Sequence, residues 1–261
     1  IESVKVAIQE NTRLIYFESI ANPTMKVADM NALVEVARQH EVLTVCDNTF
    51  ASPCVIRPLE WGVDLVVESA TKFISGHSDV IGGAICMKSE KLPADFLEQI
   101  RWDTMVKWGS PLAPFNAWLL LRSMQTLSIR VERQCQSAMK LANHFAQHEK
   151  VNRVWYPGLA SHAQHALAKM QMPTFGGMLS FDVGNANKAL KVLDSLKLAC
   201  FAASLGGVRT TTQIPASMAF LDIPEAERRQ MGISDGMIRV SVGIEDIDDL
   251  IHDFDRALAL V

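Results

Sequence analysis

The run Leu65-Val66-Val67 stops at Glu68 and gives way to Ser69-Ala70-Thr71-Lys72, and beyond the lysine Gly76, Gly82 and Gly83 loosen the chain. A short β-rich apolar segment that ends abruptly in small hydroxylated residues delivers a side chain to the rim of a sheet. In open α/β sheets ligands bind beyond the carboxyl ends of the strands, so Lys72 stands where a nucleophilic amine is useful. Taken alone, the segment fits a solvated loop lysine equally well, and the surrounding pattern has to separate the two.

Residues 13–18 predict a buried strand ended by Ser19-Ile20-Ala21-Asn22-Pro23-Thr24. Pro23 cannot donate to a ladder and biases Asn22 away from the helical region, which holds Asn22 at a strand-to-loop corner. Asp29 is placed to cap a helix with apolar positions Leu33, Val34, Val36 and Ala37, closed by His40-Glu41. A strand over 42–46 ends at Asp47-Asn48-Thr49-Phe50, a third over 63–67 leads to Lys72, and a fourth lies within 80–87. Short connections among these elements predict part of a mostly parallel sheet wrapped by helices. From Glu90 the pattern turns helical. Pro111 and Pro114 open a long helical region carrying Trp118, Leu119, Leu121, Met124, Leu127 and Ile129 and running on through Phe145, a connector between lobes. Strands over 151–155, 177–183 and 237–242, interleaved with helices near 163–171, 185–196 and 246–260, predict a second, smaller α/β lobe. The expected division is 1–122 and 123–261.

Composition closes off other classes. A chain of 261 residues with 49% hydrophobic and 21% charged residues buries a sizeable core and favours two lobes over one. The net charge of -4 offers no basic surface for nucleic acid or anionic membrane, and no apolar run has the length of a membrane span. Five cysteines without a C-x-x-C pair read as thiols of a reducing, cytoplasmic compartment, not as a disulfide framework or a zinc site. The histidines show no metal-ligand spacing, so no metal is expected. Absence of G-x-G-x-x-G argues against a nicotinamide cofactor. Gly76-His77-Ser78-Asp79 holds the residue types of a hydrolase triad, but four adjacent residues cannot supply its geometry.

Three strand ends therefore present Asn22, Asp47, and Ser69, Thr71 and Lys72. If the strands are parallel, these residues converge on one side of the sheet. Pyridoxal phosphate needs a lysine for its Schiff base, a carboxylate to keep the pyridine nitrogen protonated, and hydroxyl or amide donors for its phosphate.

Ser69-Ala70-Thr71-Lys72 with Gly76-His77-Ser78-Asp79, the run Asp47 to Pro53, and Asn22-Pro23 resemble the Cys/Met-metabolism family of pyridoxal-phosphate enzymes. The likeness continues through Trp155-Tyr156-Pro157-Gly158-Leu159, Phe175-Gly176-Gly177-Met178, Ser204-Leu205-Gly206-Gly207, Gly232-Ile233-Ser234-Asp235 and Arg239-Val240-Ser241-Val242-Gly243. The resemblance implies an aspartate-aminotransferase-like fold (fold type I), with part of the large cofactor-binding domain and a smaller C-terminal domain. It implies that Lys72 carries the cofactor covalently and later shuttles a proton, that Asp47 pairs with the pyridine nitrogen, and that Ser69 and Thr71 hold the phosphate. Asn22 would contact the ring hydroxyl, and Arg239, helped by the Ser204 region, would clamp the substrate α-carboxylate.

The expected reaction is carbon-sulfur γ-elimination from methionine, homocysteine or cystathionine, giving a 2-oxo acid, ammonia and a thiol. The alternatives are γ-replacement on an O-acylated homoserine and a catalytically incomplete scaffold. Ala203 stands where cystathionine-handling relatives tend to carry glutamate, which favours a shorter thioether, whereas Arg209 would favour an acidic leaving group if it reached the pocket. A cytoplasmic homotetramer, built as a dimer of dimers, is also implied. The chain opens on Ile1 with a helix-like stretch that has no N-cap. The family's N-terminal Gly-Met phosphate cup, stacked tyrosine and subunit-crossing Tyr and Arg have no counterpart here, so a chain entered partway is expected.

Overall fold

The computed structural model of the chain describes residues 1–88 and 90–261. After a short helix α1 (Glu2–Ala7), which buries nothing, strands β1 (Leu14–Glu18), β2 (Leu43–Asp47), β3 (Leu65–Glu68) and β4 (Ala84–Met87) form one sheet in the order β1-β2-β3-β4. The first three are parallel, and their register pairs Glu18 with Asp47 and Asp47 with Val67, so their carboxyl ends finish flush at one rim. Between β1 and β2, helix α2 (Met30–Gln39) is capped by the Asp29 carboxylate, which accepts from Ala32 N at 3.0 Å, and it buries Met30, Leu33, Val36 and Ala37.

Helix α3 (Phe96–Ile100) runs into a π-helical segment, Arg101–Val106. Next come helices α4 (Pro114–Met124) and α5 (Leu127–Gln147). A second sheet, ordered β5-β6-β9-β8-β7, comprises β5 (Arg153–Trp155), β6 (Met178–Asp182), β7 (Cys200–Phe201), β8 (Thr211–Gln213) and β9 (Met237–Ser241). Helices α7 (Ala186–Ser195) and α9 (Ile247–Leu258) pack into its core, whereas α6 (His165–Gln171) turns its buried Ala168 and Gln171 to the first lobe and α8 (Glu225–Met231) buries nothing. Helix α5 joins the two cores. Its first half places Leu127, Val131 and Cys135 among the residues under the first sheet. Its second half places Leu141 and Phe145 in the other core, with the Phe145 ring 4.4 Å from Phe181 and 5.1 Å from Phe254. Among the described residues no helix is long and apolar enough to cross a membrane.

The sheet is mostly parallel, as expected, with β4 antiparallel to β3 because the connection over 69–83 holds no crossover helix. Four features depart from the sequence expectation. Strand β1, expected to be buried, lies at the sheet edge with Leu14 and Tyr16 exposed. The long helical region breaks at Gln125-Thr126, where the Thr126 hydroxyl and the Arg130 guanidinium both donate to the Ser123 carbonyl in place of a continued helical ladder. Trp118, Leu121, Met124 and Ile129 are each more than half exposed: the sequence there is apolar on more than one helix face, and the core takes the face of Leu120 and Ser123. Strands β7 and β8 went unforeseen because segments of two and three residues are too short to show alternation.

Candidate active site

Where the first sheet's rim meets the second lobe lies a cavity of about 670 Å³. Its walls include Glu18, Asn22, Asp47, Thr49, Phe50, Ser69 and Lys72 from the strand ends, and Ala203, Ser204, Gln213, Met218, Ala219 and Arg239 from the second lobe. Six of the seven residues expected at the site, Asn22, Asp47, Ser69, Lys72, Ser204 and Arg239, thus share one space. Thr71 does not line it. Its hydroxyl accepts from Gly82 N at 3.0 Å and lies 3.3 Å from the Gly82 carbonyl, so in this geometry it braces the return to β4.

Asp47 ends β2 with its carboxylate fixed from two sides. Thr49 N donates to Oδ1 at 2.9 Å, and Tyr16 OH donates to Oδ2 at 3.2 Å. Asn22, at the cis peptide bond to Pro23, is held by its backbone N–H, which donates to the Glu18 carboxylate at 2.9 Å. Burial raises the Glu18 carboxyl above the ordinary carboxylate range.

Lys72 sits in a tight turn, and Nζ donates to Ser204 Oγ at 3.1 Å. Burial first, and then the charge of Arg239, depress its pKa, which favours the neutral amine a nucleophile needs. The turn is braced by Arg130, 5% exposed, whose guanidinium donates to the carbonyls of Phe73 at 2.8 Å and Ile74 at 3.2 Å. From the other side the 204–207 loop rests on the same turn. Gly206 (φ +78) is required there: a Cβ would lie 2.5 Å from Phe73 N. Ser204, also left-handed at φ +78, is tied down by Lys72 at its hydroxyl and by Arg239 at its carbonyl, which offsets the strain of that backbone.

Arg239 lies in the middle of β9 and is 4% exposed. Its guanidinium donates to Asn22 Oδ1 at 3.1 Å and to Ser204 O at 2.9 Å, and its carbon stands 5.8 Å from the Phe50 ring centroid. Burial lowers its pKa to about 10, so it stays charged at neutral pH. One buried cation thereby bridges the rim of the first sheet and the loop that touches Lys72.

Beneath the rim, Glu68 accepts from Asn48 Nδ2 at 2.9 Å, joining the ends of β2 and β3. Burial, opposed by the Asn48 hydrogen bond and reinforced by Asp47, pushes Glu68 from 4.5 up to about 7. Below pH 4.5 the carboxyl is protonated folded or unfolded. Between there and pH 7 the unfolded chain releases a proton that the folded chain keeps, so stability falls as pH rises. Across that window Glu68→Gln should gain about 3 kcal/mol relative to the native protein, with no further gain above it. Urea denaturation of both proteins from pH 4 to 8 measures this, and a difference that does not change with pH would refute it.

Sequence reasoning missed Glu18, Gln213 and Arg130. Glu18 is the last residue of β1 and could have been read as a strand-end group like Asp47. Gln213 sits in a strand too short to recognise, and a lone arginine in an amphipathic helix reads as solvent-facing.

The match to known proteins is extensive. The family model described as Cys/Met metabolism PLP-dependent enzyme matches residues 1–259. A cystathionine beta-lyase of Coxiella burnetii is 45% identical over 98% of this chain and 65% of its own length. An L-methionine gamma-lyase of Fusobacterium nucleatum subsp. polymorphum is 42% identical over 99% of this chain and 65% of its own. A solved structure of a putative O-acetylhomoserine (thiol)-lyase from Campylobacter jejuni, with N'-pyridoxyl-lysine-5'-monophosphate, superposes with a TM-score of 0.96 at 32% identity, covering 99% of this chain and 68% of that one. The chain thus spans about two thirds of the length of the relatives it matches. A matched stretch that takes in all but two residues, with both lobes and the strand-end lysine inside it, makes this chain a member of the Cys/Met metabolism family of PLP-dependent enzymes.

Proposed function

We propose that this protein is a carbon-sulfur lyase that cleaves a sulfur amino acid to a 2-oxo acid, ammonia and a thiol. The observation that carries the reading is the meeting of Lys72, Asp47 and Arg239 in one cavity. The residues suit pyridoxal phosphate: a depressed-pKa amine that donates to a serine hydroxyl, a fixed carboxylate with acceptor capacity remaining, and the hydroxyl-bearing strand end at Ser69. When bound, the cofactor supplies an electron sink for charge developing at the substrate carbons. Lys72 would hold it and Asp47 would pair with its ring nitrogen, with Ser69 toward its phosphate and Asn22 at its ring hydroxyl. Thr71 would join Ser69 only if its bond to Gly82 opened.

The chain's own residues do the remaining work. Arg239 binds and orients the α-carboxylate, and Ser204 keeps the Lys72 amine in place. Lys72 Nζ, being neutral part of the time, takes the proton from the substrate carbon and returns one later. The apolar wall of Ala203, Met218 and Ala219 suits a short thioether, because a distal ammonium would find no counter-charge on that wall. Arg209 is not part of the cavity lining and donates to Cys200 Sγ at 2.8 Å, which removes the reason to expect an acidic leaving group. Likeness to an O-acetylhomoserine (thiol)-lyase favours γ-replacement as the second reading.

Division at 122/123, a cytoplasmic setting in keeping with five free thiols, and a homotetrameric assembly belong to the same proposal. The exposed Trp102, Trp108, Phe115 and Trp118 support self-association. The deciding assay supplies the cofactor-loaded protein with methionine, with cystathionine, and with O-acylhomoserine plus a thiol. A 2-oxo acid with free thiol from a thioether is expected. Ready thioether synthesis with negligible 2-oxo acid would reverse the ranking.

A further inference from the structure

Buried polar groups in folded proteins are hydrogen-bonded with few exceptions, and exceptions at the wall of a cavity point to a missing partner. Two stand side by side here. Arg239 has its Nη groups engaged, but its Nε is buried with no partner among the described residues. Gln213, also 4% exposed, lines the same cavity, and its amide nitrogen is likewise buried with no partner among the described residues. The two residues are directly opposed in the antiparallel register of β8 and β9. Opposed residues leave a sheet on the same face, with Cβ atoms roughly 5 Å apart.

The partners Arg239 does have are an amide oxygen and a carbonyl, so its charge is left for a ligand. An ammonium would be repelled, and a single neutral carbonyl would leave the cation unmatched. A planar carboxylate, with two oxygens and a full negative charge, satisfies a guanidinium edge and a neighbouring amide together. We propose that Gln213 is a second substrate-binding residue, its amide donating to the same α-carboxylate that Arg239 holds, so that the group is gripped from two adjacent strands. This deepens the lyase reading and rests on the assignment of Arg239 as the carboxylate clamp. The neutrality of Gln213 is part of the design: a glutamate there would give Arg239 an internal counter-ion competing with the ligand.

The experiment titrates the cofactor-loaded protein with methionine and with 3-(methylthio)propylamine, the same chain without its carboxylate, following binding by calorimetry. Gln213→Met removes the donor at similar volume, and Gln213→Glu turns it into an acceptor. Methionine affinity should fall roughly 10-fold to 100-fold in Gln213→Met, as for loss of one hydrogen bond to a charged group, and at least as far in Gln213→Glu. Affinity for the amine should not fall in either. If Gln213→Met fails to fold, as circular dichroism would show, the near-isosteric Gln213→Glu carries the test. Variants that keep the native preference for methionine over the amine would overturn the role of Gln213 alone. A native protein with no such preference would overturn the carboxylate reading of Arg239 and this proposal with it.

Discussion

Replacing Lys72 by alanine should abolish covalent attachment of pyridoxal phosphate and lower turnover by at least ~10²-fold to 10⁴-fold, the range typical of a lost acid-base group. The size of the effect comes from position. Lys72 is the one lysine in the cavity lining, and its amine is the group whose pKa the burial and Arg239 depress. The turn that Arg130 and Gly206 hold fixes where that amine stands, and the carboxylates of the lining sit on other strand ends. Lys72→Arg should be almost as damaging, because a guanidinium does not give up its proton near neutrality. Absorbance of bound cofactor together with steady-state rates separates the two losses. An alanine variant that turned over within ten-fold of the native protein would remove Lys72 from the chemistry.

Arg239→Ala should cost ~10²-fold to 10⁴-fold in kcat/KM. Two charge-assisted hydrogen bonds to a carboxylate, at ~1.5–3 kcal/mol each, set that range. Most of the loss should appear in KM, since the carboxylate is bound alike in ground and transition states. A smaller drop in kcat is expected as well, because the same guanidinium holds Asn22 and the Ser204 carbonyl, and Ser204 holds Lys72. Arg239→Lys should recover little: an ammonium is a point charge and cannot span those partners and a two-oxygen ligand together. Cofactor binding should survive both changes. Unchanged kcat/KM in Arg239→Ala would exclude it from the site.

The first lobe was legible to the degree that its strands end in polar residues. Asn22, Asp47 and Lys72 each come after an apolar run, and parallel pairing alone brings such residues to one rim. Ser204 and Arg239 were reached only through the family resemblance. Arg239 sits mid-strand, where an isolated arginine looks like an exposed residue, and its burial depends on a rim from the other lobe. For Thr71 residue type does not set direction: the turn decides which way its hydroxyl faces, and here it meets Gly82. The direction of β4 could have been foreseen from the missing crossover helix. Arg130 and Gln213 could not: one is recognised by the carbonyls around it and the other by the partner it lacks, and both are properties of the assembled fold.

The claim on which the rest depends is that Lys72 is the residue that carries the cofactor. Incubation with pyridoxal phosphate, reduction with borohydride and peptide mapping by mass spectrometry tests it in one step. A pyridoxyl phosphate mass is expected on the peptide containing Lys72, absent in Lys72→Ala. A label fixed on another lysine, with the Lys72 peptide unmodified, would contradict it.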